Sequence, residues 1–173
     1  MKPHLSILLA LGACANSISG PDGFTPNSQL SQATDRLADG GPNLSTVEIL
    51  LAYIDQGTLS CGQLASQGDA GLMRTGRAIV IVVGTFDLTP VVPGQYFLIS
   101  PTEGVPVDAG NLLAGLKLTD SSEGVLGDSV GGSVTLTEVS PDVVGSFTST
   151  MALNGTPSGT LSGSFHATFC PLP

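Results

Sequence analysis

The amino-acid sequence predicts an all-β protein: an antiparallel β-sandwich of about six to eight strands, with one short helix near Cys61. Three observations predict it. From residue 46 onward, apolar and polar residues alternate with period two rather than 3.6. The alternating runs are punctuated by Gly, Pro and Asn-Gly, in a chain with 23 Gly and 12 Pro among 173 residues. Charged residues make up only 11% against 41% hydrophobic ones, a balance found neither in disordered acidic tails nor in charged coiled coils.

Residues Thr46 to Asp55 fit two periods. Ser45 and Glu48 have capping-box spacing, and Val47, Leu50, Leu51 and Ile54 have helical spacing. Val47, Ile49, Leu51 and Tyr53 fit a strand as well, and the all-β context selects the strand. Cys61 to Ala65 suits a short helix. Arg77 to Phe86 is β-branched and apolar on both parities, the signature of a strand covered on both faces. Gly94 to Ser100 follows the Pro90…Pro93-Gly94 turn, with Tyr96 and Leu98 on one face and Phe97 and Ile99 on the other. Leu112 to Thr119 is a weaker strand, and Ser133 to Val139 follows it. Val143 to Leu153 comes next, after Ser140-Pro141-Asp142, and turns through Asn154-Gly155-Thr156-Pro157-Ser158-Gly159 into Thr160 to Cys170. That hairpin sets Val143, Phe147, Met151, Leu153, Leu161, Phe165, Ala167 and Phe169 against a wet face of Ser, Thr and His166.

The first 14 residues follow a different logic. Lys2 precedes an apolar run from Leu5 to Leu11, roughly half of the ~20 residues that cross a bilayer, so the segment reads as an export signal. It ends in Leu11-Gly12-Ala13-Cys14, which resembles the lipobox of bacterial lipoproteins. The resemblance covers residues 1–14. It implies cleavage before Cys14, a thioether-linked diacylglycerol on that cysteine, and acylation, with palmitate for example, of the new amino group. Two or three acyl chains exceed the single chain that binds a bilayer only marginally. Ala15 and Asn16, in place of an acidic residue, point by the same resemblance to the outer membrane, periplasmic or surface-facing. The whole arrangement is similar to small lipoproteins of Gram-negative bacteria with a single-disulfide β domain. The expected organisation is a signal peptide at 1–13, a lipidated N-terminus and flexible tether at 14–45 reaching about 30 Å, and the β domain at 46–173. Leu30, Ala33 and Leu37 offer a competing short helix over Gln29 to Ala38.

With Cys14 lipidated, Cys61 and Cys170 remain, in a compartment where disulfides persist, and are expected to bond to each other. The chain has neither Cys-x-x-Cys nor a basic residue beside either thiol, so the expected bond is structural. Candidate chemistry elsewhere is sparse. His166 is the only histidine after cleavage, with Ser162 and Ser164 on its strand, but there is no Gly-x-Ser-x-Gly elbow. Glu103, Glu138 and Asp142 are candidate carboxylates for a wall or glycan hydrolase, in a chain with no Trp to stack a sugar. Asp120, Glu123 and Asp128 are a weak Ca²⁺ candidate on a turn, without EF-hand spacing. No motif calls for a cofactor.

The formal net charge is −9, and loss of Lys2 makes it more negative. Arg36, Arg74, Arg77 and Lys117 are too few and scattered to neutralise a row of phosphates, which excludes nucleic acid. The expected partners are therefore the bilayer, through Cys14, and a protein of the envelope or exterior. A non-enzymatic binding or envelope role ranks first; a carrier of a small apolar ligand and a carboxylate-dependent hydrolase are the alternatives.

Overall fold

The computed structural model describes residues 17–36, 47–67, 76–85, 90–99, 112–153 and 155–170. In chain order these form β1 (Ile18–Ser19), β2 (Ser28–Arg36), β3 (Val47–Asp55), α1 (Cys61–Gln67), β4 (Arg77–Thr85), β5 (Gly94–Phe97), β6 (Leu112–Asp120), β7 (Gly124–Glu138), β8 (Val143–Leu153) and β9 (Thr156–Phe169). All nine strands belong to one sheet. Strands β2, β3, β4, β6, β7, β8 and β9 each pair with the next, and β9 returns to β2 through Leu30↔Thr168 and Ser31↔Phe169. That closing contact is parallel, and every other strand pair is antiparallel. The all-β class and the short helix at Cys61 are as predicted. The two layers expected of a sandwich are opposite walls of one rolled sheet, which leaves fewer open strand edges to aggregate.

The interior is apolar. Leu50, Ala52 and Ile54 of β3, Ile79, Ile81 and Val83 of β4, and Leu116 and Leu118 of β6 form one buried cluster with Val134, Phe147, Met151, Leu161 and Phe165. A barrel that crosses a bilayer has the opposite sense, apolar outside. A second cluster lies on the outer side of β3 and β4, where Leu51, Tyr53, Val80 and Val82 pack with Leu64 of α1 and with Cys170. Both parities of these two strands read as apolar because one face lines the barrel and the other lies under the helix. At the start of α1, the Ser60 and Gln63 N–H groups each bond to the other's side chain, at 2.9 and 3.3 Å. This reciprocal cap offsets the low intrinsic stability of a seven-residue helix.

Three expectations need correction. The tether expected at 14–45 is, over residues 17–36, part of the barrel. Ile18 and Phe24 are buried in the interior cluster, and β2 pairs with β3 along its whole length, from Ser28↔Asp55 to Arg36↔Val47. The alternative helix over Gln29 to Ala38 is overturned by the same pairing. Strand β2 shows no apolar period because it buries polar residues, Ser31 and Gln32. The Ser31 hydroxyl donates to the Ala167 carbonyl at 3.1 Å, and the Cys170 N–H donates to the Ser31 carbonyl at 2.7 Å. The first bond offsets the cost of burying the hydroxyl and the second satisfies the backbone carbonyl, neither of which a hydropathy pattern records.

The third correction concerns β7, which starts at Gly124 rather than Ser133 and runs for 15 residues. Its first part pairs with β6 and its second part with β5, so β5 fills the wedge where β6 and β7 part. Buried Ser129 spans the wedge: its Oγ accepts the Leu116 N–H at 3.2 Å and donates to the Ile99 carbonyl at 3.4 Å. The register shifts between Ser129 and Gly131, and the buried positions change parity, from Gly127 and Ser129 to Val134 and Leu136. Gly132 makes this bulge possible. Its φ is +118°, and a Cβ there would lie 2.1 Å from the Thr148 carbonyl oxygen. Gly132→Ala is therefore expected to destabilise by ~1–3 kcal/mol through backbone strain, with a lower urea midpoint; an unchanged midpoint would show that the bulge can relax.

Candidate functional site

The residues that carried candidate chemistry are spread over the barrel. Asp120 and Glu123 share the β6–β7 turn, whereas Asp128 lies on β7 with Lys117 as its cross-strand partner. The Asp120 carboxylate accepts the Ser122 N–H and hydroxyl at 2.8 and 2.6 Å, and Arg77 lies 3.8 Å away. These hydrogen bonds from Ser122, and secondarily the Arg77 charge, hold its carboxyl below the usual range. Arg77 also reaches Asp22 at 3.1 Å, tying the β1–β2 loop to β4. Among the described residues, no three His, Cys, Asp or Glu side chains converge as metal ligands. Glu138 ends β7, exposed. Glu103 and Cys14 lie outside the described residues.

Two pairs do form. Cys61 and Cys170 are bonded, with their Cα atoms 5.3 Å apart, so that the start of α1 is fastened to the end of β9. His166, on the outer side of β9, meets Asp142 in the β7–β8 turn: Nε2 to Oδ2 is 2.9 Å. The Phe169 N–H donates to Asp142 Oδ1 at 3.3 Å, and the His166 N–H donates to the Gln29 side chain at 2.9 Å. The sequence named both His166 and Asp142 but did not join them. A 24-residue separation becomes contact only because β8 and β9 pair in the register Val144↔His166.

This pair does not have the geometry of a nucleophile triad. There, the carboxylate orients the imidazole through Nδ1 and the serine bonds to Nε2; here Nε2 carries the carboxylate. The ring is also more than half exposed, at 58%, which leaves little desolvation to strengthen a developing charge. The arrangement works instead as a surface brace joining the β7–β8 turn, β9 and β2 at the seam where the barrel closes.

The brace has a pH signature. The hydrogen bond from His166, and then the Phe169 N–H, lower the Asp142 pKa. A depressed carboxyl contributes stability above its unfolded value of about 3.9, and that stability is lost as the pH falls through the folded value. Asp55 acts in the opposite sense. Burial raises its pKa, against a hydrogen bond from the Gly57 N–H, so its proton is favoured in the folded state. Asp142→Asn is accordingly expected to flatten the fall of unfolding free energy below about pH 4. Urea titrations at several pH values check this, and an unchanged acid slope would remove the brace.

The barrel interior, where a ligand carrier would need a cavity, is occupied by large side chains: Phe147, Met151, Phe165, Leu118 and Ile79 are each at most 3% exposed. The outer wall of β8 and β9 is the wet face expected of the hairpin, and its rows and its pairing with β1 come from the fold. Ser146, Thr148 and Thr150 alternate along β8 with buried residues, and Thr160, Ser162, Ser164 and His166 along β9. Cross-strand register sets them in rows, Ser146↔Ser164, Thr148↔Ser162 and Thr150↔Thr160, and β1 extends one of these through Ser19↔Ser162. The signal was present, as an S-x-T-x-T alternation with no charge in it. No family model matches the chain, and no curated protein or solved structure matches it either.

Proposed function

We infer that this chain is an extracytoplasmic lipoprotein, anchored through acylated Cys14, whose β domain serves a non-enzymatic binding or structural role in the cell envelope, with the outer membrane favoured. The observation that carries the reading is the Cys61–Cys170 bond. The chain has three cysteines, and the bond uses the two that lipidation of Cys14 leaves over. It also belongs to an oxidising compartment, as export by residues 1–13 requires. The filled interior favours a surface role over carriage of an apolar ligand, and the solvated His166–Asp142 brace favours binding over hydrolysis.

The test is the intact mass of the protein extracted from membranes of its native host and alkylated without reduction. The expected mass is that of residues 14–173 plus a diacylglyceryl and an acyl group, with no alkylated thiol. Cys14→Ser should move the protein from the membrane to the soluble fraction while leaving the disulfide closed. A soluble, unlipidated wild-type chain would overturn the anchor.

A further inference from the structure

We propose that the outer wall formed by β1, β9 and β8 is the membrane-facing side of the protein, lying against the headgroup layer of the bilayer that holds its anchor. The proposal rests on the lipid anchor at Cys14 and adds an orientation to it. Two independent observations carry it.

The first is length. The barrel begins almost at the anchor, since Ser17 precedes β1 directly. Three residue steps separate Cys14 from Ser17, and a fully extended chain spans at most about 10–11 Å over them. A flexible tether of thirty residues would leave orientation free; this one does not. Ile18 and Ser19 pair with Gly163 and Ser162 in the middle of β9, so the acyl chains must enter the bilayer within that short distance of the β1–β9 seam. The wall around the seam is thereby brought to the interface, and the wall across the barrel is turned away from it.

The second is charge. Strands β1, β8 and β9 contain no Asp, Glu, Lys or Arg, in a chain with 14 acidic side chains. Most of their outward polar positions are hydroxyls, among them Ser19, Ser162 and Thr148 in one row and Ser146 and Ser164 in the next, while His166, held by Asp142, stands at the end beside the β7–β8 turn. Bilayer surfaces are commonly anionic, and over a Debye length of about 8–10 Å they repel carboxylates. The anchored chain, more negative than −9 once Lys2 is lost, is repelled least from such a surface on the side with the fewest carboxylates. Hydroxyls carry no charge to be repelled and can donate to lipid phosphate and carbonyl oxygens. The basic Lys117 lies on β6, which stands across the closed ring from β9, whereas Asp120 at the end of β6 lies beside Arg77, which also reaches Asp22 in the β1–β2 loop.

Thr148, on this wall, and Lys117, on the far side, are both exposed, which makes them a matched pair of reporters. Thr148→Cys and Lys117→Cys would each be made in the full lipidated chain, with the native disulfide closed, and labelled with an environment-sensitive fluorophore. The labelled proteins are reconstituted on phosphatidylethanolamine–phosphatidylglycerol vesicles carrying a nitroxide on the headgroup. The expected result is severalfold stronger quenching at position 148 than at 117, reduced when Ser146→Glu places a carboxylate on the wall. Equal quenching, or stronger quenching at 117, by protein that floats with the vesicles would overturn the orientation and leave the anchor standing. Failure of the wild-type chain to float would overturn both.

Discussion

Replacing Cys61 and Cys170 together by alanine is expected to destabilise the protein by about 4–5 kcal/mol, the largest effect of any substitution considered. The bond joins residues 109 apart in sequence, and a cross-link of that span removes about this much loop-closure free energy from the denatured chain. The native state loses something too. Cys170 is buried in the outer cluster with Leu51, Tyr53 and Leu64, so the bond also presses α1 onto β3 and β4. Urea unfolding of the double variant should show a lower midpoint and a larger m-value, because the uncrosslinked denatured chain exposes more surface. A loss below about 1 kcal/mol would mean that the denatured state is already compact around this contact. Since domains of this kind are stable by only about 5–15 kcal/mol, the variant should be close to unfolding at growth temperature.

Phe165→Ala is expected to cost about 3–5 kcal/mol. Phe165 is 1% exposed in the barrel interior, and its ring lies over Gly145, its partner on β8. A Cβ at position 145 would come within 2.8 Å of the ring, so Gly145 leaves the space that the ring occupies. Truncation empties that space, and neighbouring strands held by ladder hydrogen bonds can collapse into it only partly. Phe97, 72% exposed on β5, is the control: Phe97→Ala should change stability by no more than about 0.5 kcal/mol. Chemical denaturation of the two variants tests the inward and outward assignment directly, and comparable losses at both positions would refute it.

These two phenylalanines also mark how far the sequence could be read. The parity of the β8–β9 hairpin was legible at Val143, Phe147, Met151, Leu161, Phe165 and Ala167, all of which are buried. Phe169, expected on the same buried side, is 37% exposed at the last position of β9. The strand assignment at 47–55 and the two-sided burial of β3 and β4 were legible for the same reason: alternation, or its absence, reports burial on each face. Strand β2 was not, because its burial falls on Ser31 and Gln32. The early part of β7 was not, because Gly124, Gly127, Gly131 and Gly132 read as turns, whereas Gly132 relaxes a bulge inside a continuous strand. Of the candidate site, His166 and Asp142 were each visible, but their contact was not. The hydroxyl wall was visible as letters, yet its place beside Ser17 and Ile18 depended on β1.

By itself the sequence determined the all-β class, the apolar stripes that fill the interior, and the pair of cysteines that a lipidated Cys14 would leave. The tertiary structure alone decided that the sheet closes, that residues 17–36 belong to the barrel, and that the hydroxyl rows of β8 and β9 stand beside β1. The physical reason lies in the range of the two kinds of information. Alternation is a property of neighbouring residues and is written locally along each strand. Closure depends on pairing backbone N–H and C=O groups at both edges of the sheet, and the partners of β2 on its second edge, at Leu30 and Ser31, came from β9, more than 130 residues away.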